Sequence, residues 1–213
     1  MTLAVPVRPA QEIVADTLKA RGMDIDPSTV QRHAPAPRTV RRLMYDGAAA
    51  GQDATRHMLH YIYSVWMARL GLDAARADAW GRAALARFQS PDNWQARDGA
   101  PELIADLAAM VVPCVILSNW HDALFDLAQS CNVMPSHGVI SSARIGVAKP
   151  SRAAFRAAAD HLGLAPGHLL HVGDDPTADV RGARRAGMHT LLVSPSGSIT
   201  YQFRQRFPDV VRA

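Results

Sequence analysis

Three carboxylates, Asp174, Asp175 and Asp179, fall within six residues of the stretch "LLHVGDDPTADVRGARRAGM" (169–188), where an apolar run stops. Carboxylate oxygens crowded at one point suit a hard divalent cation such as Mg²⁺. Lys149, in "GVAKPS", adds a cation. Ser118 and Asn119, which close "VVPCVILSN", add a hydroxyl and an amide. Donors and an ammonium can hold phosphate oxygens while carboxylates hold the metal. Each piece alone is weak, because Ser-Asn is common and a strand-end aspartate is often only a helix cap. The ordered set is far more specific. Of 23 basic residues only two, Lys19 and Lys149, are lysine. Where arginine is the default cation, a lysine inside a motif needs a local reason.

These groups need strand ends to hold them. Apolar runs at 111–117 and 168–173, a short strand at 137–142 and a last one at 189–194 alternate with helical patterns at 100–110, 122–131, 151–163 and 176–187. Ser151 and Gly163 bracket one of these helices, and Pro176 suits the first turn of another. Such alternation predicts an α/β fold, a Rossmann-like parallel sheet with helices on both faces. In open parallel sheets ligands collect beyond the carboxyl ends of the strands, where the polar groups above fall. Residues 10–95 have another character. Helical patterns at 10–22, 26–33, 54–71 and 73–88 predict an all-helical region, with "PAP" (35–37) as an interruption. His57 and His60 lie within one turn, but lack a third ligand and are read as packing or surface residues.

The remaining composition narrows the classes. The chain has 213 residues, 48% apolar and 20% charged, as expected of a soluble globular protein. No run approaches 18 apolar residues and no secretory signal pattern is present, so a cytoplasmic protein is expected. Cys114 and Cys131 make no disulfide framework, and Cys114 is read as a core thiol. The net charge of +4 is scattered, so neither nucleic acid nor membrane is expected as a partner.

The motifs together resemble the haloacid dehalogenase (HAD) superfamily, in the subgroup with a helical cap inserted after the first strand. "VILSN" is similar to its second motif, "ARIGVAKPSRAAF" to its third and "LLHVGDDPTADVRGARRAGM" to its fourth. The resemblance covers residues 98–194, and 10–95 fits the cap in length and helicity. It implies a Mg²⁺-dependent phosphatase acting on a small phosphorylated metabolite through an aspartyl-phosphate. Ser118 and Asn119 would bind phosphate, and Lys149 would be its cation. Asp174 would be the metal ligand, Asp175 a metal-shell or orienting residue, and Asp179 the acid supporting Lys149 and the metal. The rival 2-haloacid dehalogenase reading expects Ser-Asn where this chain has "GDD".

The family's first motif reads Asp-x-Asp-x-Thr-Leu after an apolar strand, with the first aspartate as nucleophile and the second as general acid and base. This chain begins "MTLAVPVRP". Thr2-Leu3 fits the motif's tail, which makes Thr2 a catalytic candidate, and Met1 falls on the variable position. Both aspartates would lie upstream. "MDID" (23–26) has the spacing but no preceding strand, and is read as a loop between helices. Two explanations compete: a truncated copy, or a fold that has lost catalysis and serves as a binding or regulatory module. Truncation is the expectation, because in the family the absent strand lies centrally between 111–117 and 168–173. Residues 1–9 are then a motif remnant and linker, 10–95 the cap and 96–213 the α/β core.

Overall fold

The computed structural model describes residues 2–208. Met1, with its assignment to the first motif, and residues 209–213 at the end of the expected core lie outside the described residues.

The helical region forms five helices: α1 (Ala10–Lys19), α2 (Pro27–Arg32), α3 (Pro37–Ala49), α4 (Gln52–Arg69) and α5 (Ala74–Gln89). Carboxylates cap two of them, since Asp26 accepts from the Thr29 amide and Asp73 from the Arg76 amide. Asp26 is therefore a helix cap, as the loop reading of "MDID" expected. Val14, Leu18, Val30 and Met67 are sealed from solvent in a shared core with Tyr63 and Trp66. The indole of Trp66 also donates to the Val30 carbonyl at 2.8 Å. Helix α3 was not expected after "PAP". Pro37 opens it, because proline at the first helical position loses no hydrogen bond.

Two three-residue strands close this region at its base. Strand β1 (Ala4–Pro6) pairs antiparallel with β2 (Trp94–Ala96), Ala4 opposite Ala96. The expected linker at 1–9 therefore includes a strand. Arg97 is almost fully buried beside it and donates to the carbonyls of Thr2, Ser194 and Gly197.

The second region alternates as expected: α6 (Ala100–Ala109), β3 (Ile116–Ser118), α7 (Leu124–Ser130), β4 (Val139–Ser141), α8 (Ser142–Ile145), α9 (Arg152–Leu162) and β5 (Leu170–Gly173). A π-helical segment, Pro176–Arg181, then runs into α10 (Gly182–Ala186), followed by β6 (His189–Leu192) and α11 (Ile199–Arg206). The strand expected over 111–117 begins only at Ile116. Val111 takes a left-handed φ of 55°. Its amide and that of Val112 turn back to the Ala108 and Leu107 carbonyls, so these residues finish α6 instead.

Parallel pairing joins β3 to β4, Ile116 opposite Val139, and β5 to β6, Leu170 opposite His189. The two pairs are not hydrogen-bonded to each other among the described residues. A cavity of about 690 Å³ separates them. The core built on Ile104, Leu127 and Phe203 covers one face, and that built on Phe155, Ala158 and Met188 the other. Cys114 lines the cavity, and burial pushes its thiol up to about 11. Among the described residues no helix is long and apolar enough to cross a membrane.

Candidate active site

The ends of β3 and β5 bring the sequence motifs to one rim. Ser118, Asn119, Lys149, Asp174, Asp175 and Asp179 all line the same cavity, together with Thr2. Thr2 lies 172 residues from Asp174 in sequence, yet its hydroxyl donates to Asp174 Oδ1 at 2.6 Å. The start of the chain thus meets the fourth motif directly.

Asn119 works on the Lys149 backbone. Its Oδ1 accepts from the Lys149 amide at 2.8 Å and its Nδ2 donates to the Lys149 carbonyl at 2.9 Å. Both ends of the side-chain amide are used, which fixes the loop that carries the ammonium. Lys149 Nζ then reaches Asp179 Oδ1 at 2.6 Å. The other Asp179 oxygen accepts from the Asp175 amide at 3.0 Å.

His171, on β5, was not among the sequence candidates. Its Nε2 lies 3.1 Å from Asp179 Oδ1, and its ring meets Phe155 edge-on. Burial pushes the His171 imidazole below its ordinary value, with the Asp179 hydrogen bond opposing and the Lys149 charge adding. Burial also works to raise the Asp179 carboxyl. The His171 hydrogen bond, the charge and hydrogen bond of Lys149, and the Asp175 amide outweigh it and hold Asp179 well below the usual carboxylate range. The result is a buried ionic pair backed by a neutral imidazole. One polar residue in the apolar run "LLHVGD" was the only sequence signal for this partner.

Gly173 makes the arrangement possible. A Cβ at that position would sit 2.3 Å from both Cβ and Cγ of Asp179. Gly173→Ala is therefore expected to displace Asp179 and cost about 1–3 kcal/mol, the usual range for overpacking. Urea denaturation checks it, and a loss below about 0.5 kcal/mol would show that Asp179 can move aside.

Asp175 is committed locally. Its Oδ1 accepts from the Thr177 and Ala178 amides at 2.7 and 2.9 Å, the pattern of a helix cap. Its Oδ2 lies 3.3 Å from Arg41 on α3, so the helical region reaches across to the rim. Tyr45, one turn further along α3, shares this face. Burial pushes its phenol up, with Arg41 opposing and the charges of Asp175 and Asp179 adding. A second crossing ion pair joins Arg56 on α4 to Asp122, just beyond β3. No sequence signal marked Arg41 or Arg56 among so many arginines.

For a metal, the all-oxygen donors of Asp174 and Asp175 have the right chemistry for a hard cation. Mg²⁺ is commonly held by one or two carboxylates, with water and phosphate oxygens completing its shell. Among the described residues no three His, Cys, Asp or Glu side chains gather into a larger set. A one- or two-carboxylate site does not need them, so the residues present fit the ion.

Comparison with known proteins identifies the family. Residues 11–187 match the family model described as haloacid dehalogenase-like hydrolase. The haloacid dehalogenase-like hydrolase domain-containing protein 3 of Xenopus laevis is 26% identical, over 91% of this chain and 80% of its own length. The mouse protein of that name matches at 28% over 57% of this chain, a stretch spanning only 49% of its length. The 5-amino-6-(5-phospho-D-ribitylamino)uracil phosphatase YigB of Escherichia coli is 31% identical over 67% of this chain and 58% of its own. Among solved structures, the HAD-hydrolase YfnB of Bacillus subtilis, bound to magnesium, superposes with a TM-score of 0.67 at 18% identity, covering 92% of this chain and 86% of its own. A HAD family hydrolase from Deinococcus radiodurans, with bound phosphate and sodium, gives 0.62 at 15%, over 98% and 91%. The chain belongs to the haloacid dehalogenase-like hydrolase family.

Proposed function

We propose that this chain carries the phosphate- and metal-binding half of a Mg²⁺-dependent phosphatase site for a small phosphorylated metabolite, with the nucleophile on a strand preceding Thr2. One observation carries the reading: the Lys149–Asp179 pair, the Ser118 strand end and the Thr2–Asp174 contact share one cavity rim. Relatives named as phosphatases support it.

Ser118 would donate to a phosphoryl oxygen, and Lys149 would neutralise another as charge shifts in transfer. Asn119 and Asp179 hold Lys149 in place from its backbone and its ammonium. A carboxylate oxygen on the preceding strand would attack phosphorus as the bond to the leaving alcohol breaks. A second aspartate there would hand that alcohol a proton, then take one from the water that hydrolyses the aspartyl-phosphate. Asp174 would hold Mg²⁺, with Asp175 orienting the shell, and the bound ion supplies positive charge to the phosphoryl oxygens. Arg41 and Tyr45 face the rim from α3, where a leaving group would lie.

The test uses the chain carrying a preceding strand that ends in Asp-x-Asp. Asp174→Asn is expected to weaken Mg²⁺ binding and turnover together. Lys149→Met is expected to leave Mg²⁺ affinity within about twofold while slowing turnover about 10²–10³-fold, the usual cost of losing one transition-state donor. Asp175→Asn should be milder than Asp174→Asn. Full activity and unchanged Mg²⁺ titration in Asp174→Asn would overturn the metal assignment and leave that carboxylate a structural partner of Thr2.

A further inference from the structure

Helix α3 carries two faces of opposite character. Val40, Leu43 and Met44 pack against the core of the helical region. Arg38, Arg41, Arg42 and Tyr45 follow at i, i+3, i+4 and i+7, a spacing that gathers them on one stripe of the helix. With Asp46 they line a recess of about 380 Å³. The recess adjoins the catalytic rim, because Arg41 lines it and also meets Asp175 Oδ2 at 3.3 Å. Tyr45 is half-buried there. Burial and the charges of Asp175 and Asp179, against that of Arg41, push its phenol up. It therefore keeps its proton at neutral pH and can donate a hydrogen bond.

Three guanidinium groups in one recess are more than its carboxylates neutralise. Arg42 meets Asp46 only at 3.8 Å, with both side chains well exposed, so that pair contributes little. Arg38 has no carboxylate partner among the described residues. Arg41 gives Asp175 one of its several N–H groups and keeps the rest. The other Asp175 oxygen is already engaged by two backbone amides. On an ordinary solvated face, like charges one turn apart repel and are better spread. Here they face a concavity, with a hydroxyl donor among them. Such a set suits an anion, because planar guanidinium forks bind carboxylate and phosphate oxygens in pairs.

We propose that the α3 recess binds a second anionic group of the substrate, so that the favoured substrate is a compact phosphorylated metabolite charged at both ends. The inference rests on the phosphatase reading, in which Ser118, Lys149 and the metal take the phosphoryl group. Asp174 and Asp175 are adjacent, and consecutive α-carbons lie about 3.8 Å apart. One serves the phosphoryl end and the other holds Arg41, so a spacer of a few carbons joins the two sites. The second group is a carboxylate or a further phosphate, both of which match the guanidinium fork.

Binding to the 1–213 chain with Mg²⁺ tests this without requiring turnover. Three ligands share a three-carbon skeleton: glycerol 3-phosphate, 3-phosphoglycerate with an added carboxylate, and propane-1,3-diol bisphosphate with an added phosphate. At least one of the last two should bind about tenfold or more tightly than glycerol 3-phosphate, as a charge-assisted hydrogen bond provides. The tighter of the two identifies the group. Arg38→Gln combined with Arg41→Gln should bring the ratio to within about twofold of unity. Arg41→Lys should keep part of it, because the charge stays and the fork is lost. Equal affinities for the three ligands, or a ratio that survives the double substitution, would overturn the proposal. Malonate, which has no phosphoryl group, should shift the Arg38 and Arg41 side-chain NMR signals, and this arm decides even where no phosphate ester binds. Unmoved signals would overturn the proposal too. If they shift but Lys149→Met leaves the affinity for glycerol 3-phosphate unchanged, the recess stands and the phosphatase reading fails.

Discussion

Given p-nitrophenyl phosphate and Mg²⁺, the purified 1–213 chain is expected to turn over at least about 10⁴-fold more slowly than the same chain preceded by an apolar strand ending in Asp-x-Asp. Attack on phosphorus needs an ionised carboxylate that is free to approach in line, and the rim's carboxylates have other work. Asp179 is ion-paired with Lys149 and backed by His171. Asp175 caps the segment that follows and meets Arg41. Asp174 accepts from Thr2 and is the proposed metal ligand. Recruiting Asp179 as nucleophile would remove the group that holds Lys149. Recruiting Asp174 would take away a metal ligand. Losing the nucleophile and the acid–base group together costs about as much as losing either, because they act as one unit. Steady-state rates of the two proteins decide the matter. Rates within about tenfold of each other would place the nucleophile among Asp174, Asp175 and Asp179, and the single Asn variants would identify it.

How much of this was legible in sequence depends on how locally each feature is written. Ser118 and Asp174 could be picked out as candidates because each stands where an apolar strand gives way to helix or loop, a pattern a short window displays. Lys149 instead follows α8 and Asp179 lies inside the segment after β5, so the motif resemblance was needed to single them out. Their gathering on one rim then follows from parallel strands ending on the same side. Helix α3 was hidden by its own start signal: Pro37 reads as a breaker, though it stands where proline is tolerated. The β1–β2 pair was hidden by length, since three residues show no alternation. At 111–113 the apolar residues matched a strand, but the left-handed Val111 and the turn closing α6 took them. Partners such as His171, Arg41 and Tyr45 act through distance in space, and nothing in their neighbours along the chain announces it. Asn119 shows a subtler limit. Its place at the rim was readable, but its use on the Lys149 backbone, where both amide atoms are engaged, was visible only in the fold.

Replacing Asp179 by asparagine is expected to cost about 3–5 kcal/mol of folding stability, because it leaves the buried Lys149 charge without its counter-ion. The side chains of Lys149 and Asp179 are only 12% and 5% exposed, so solvent cannot take over the role. Equilibrium urea denaturation at pH 7 measures it, and a loss under about 1 kcal/mol would show that water or a neighbour replaces the carboxylate. The same cluster sets an acid limit with two parts. His171 has a folded value below its unfolded one of about 6.5, so the unfolded chain binds more protons as the pH drops below that point. Stability is therefore full above about pH 6.5 and declines as the pH falls from there toward the folded value of His171. Asp179 also titrates lower when folded, so its share is present above about pH 3.9 and is lost only as the pH falls further. His171→Asn should flatten the decline that sets in below about pH 6.5 while keeping the loss below about pH 3.9. The flattening should be partial, since burial pushes His121 down as well and gives it the same sign. An unchanged slope in His171→Asn across that window would mean that the imidazole is protonated in the folded protein. Asp179 would then be shared between two cations rather than held by Lys149 beside a neutral ring.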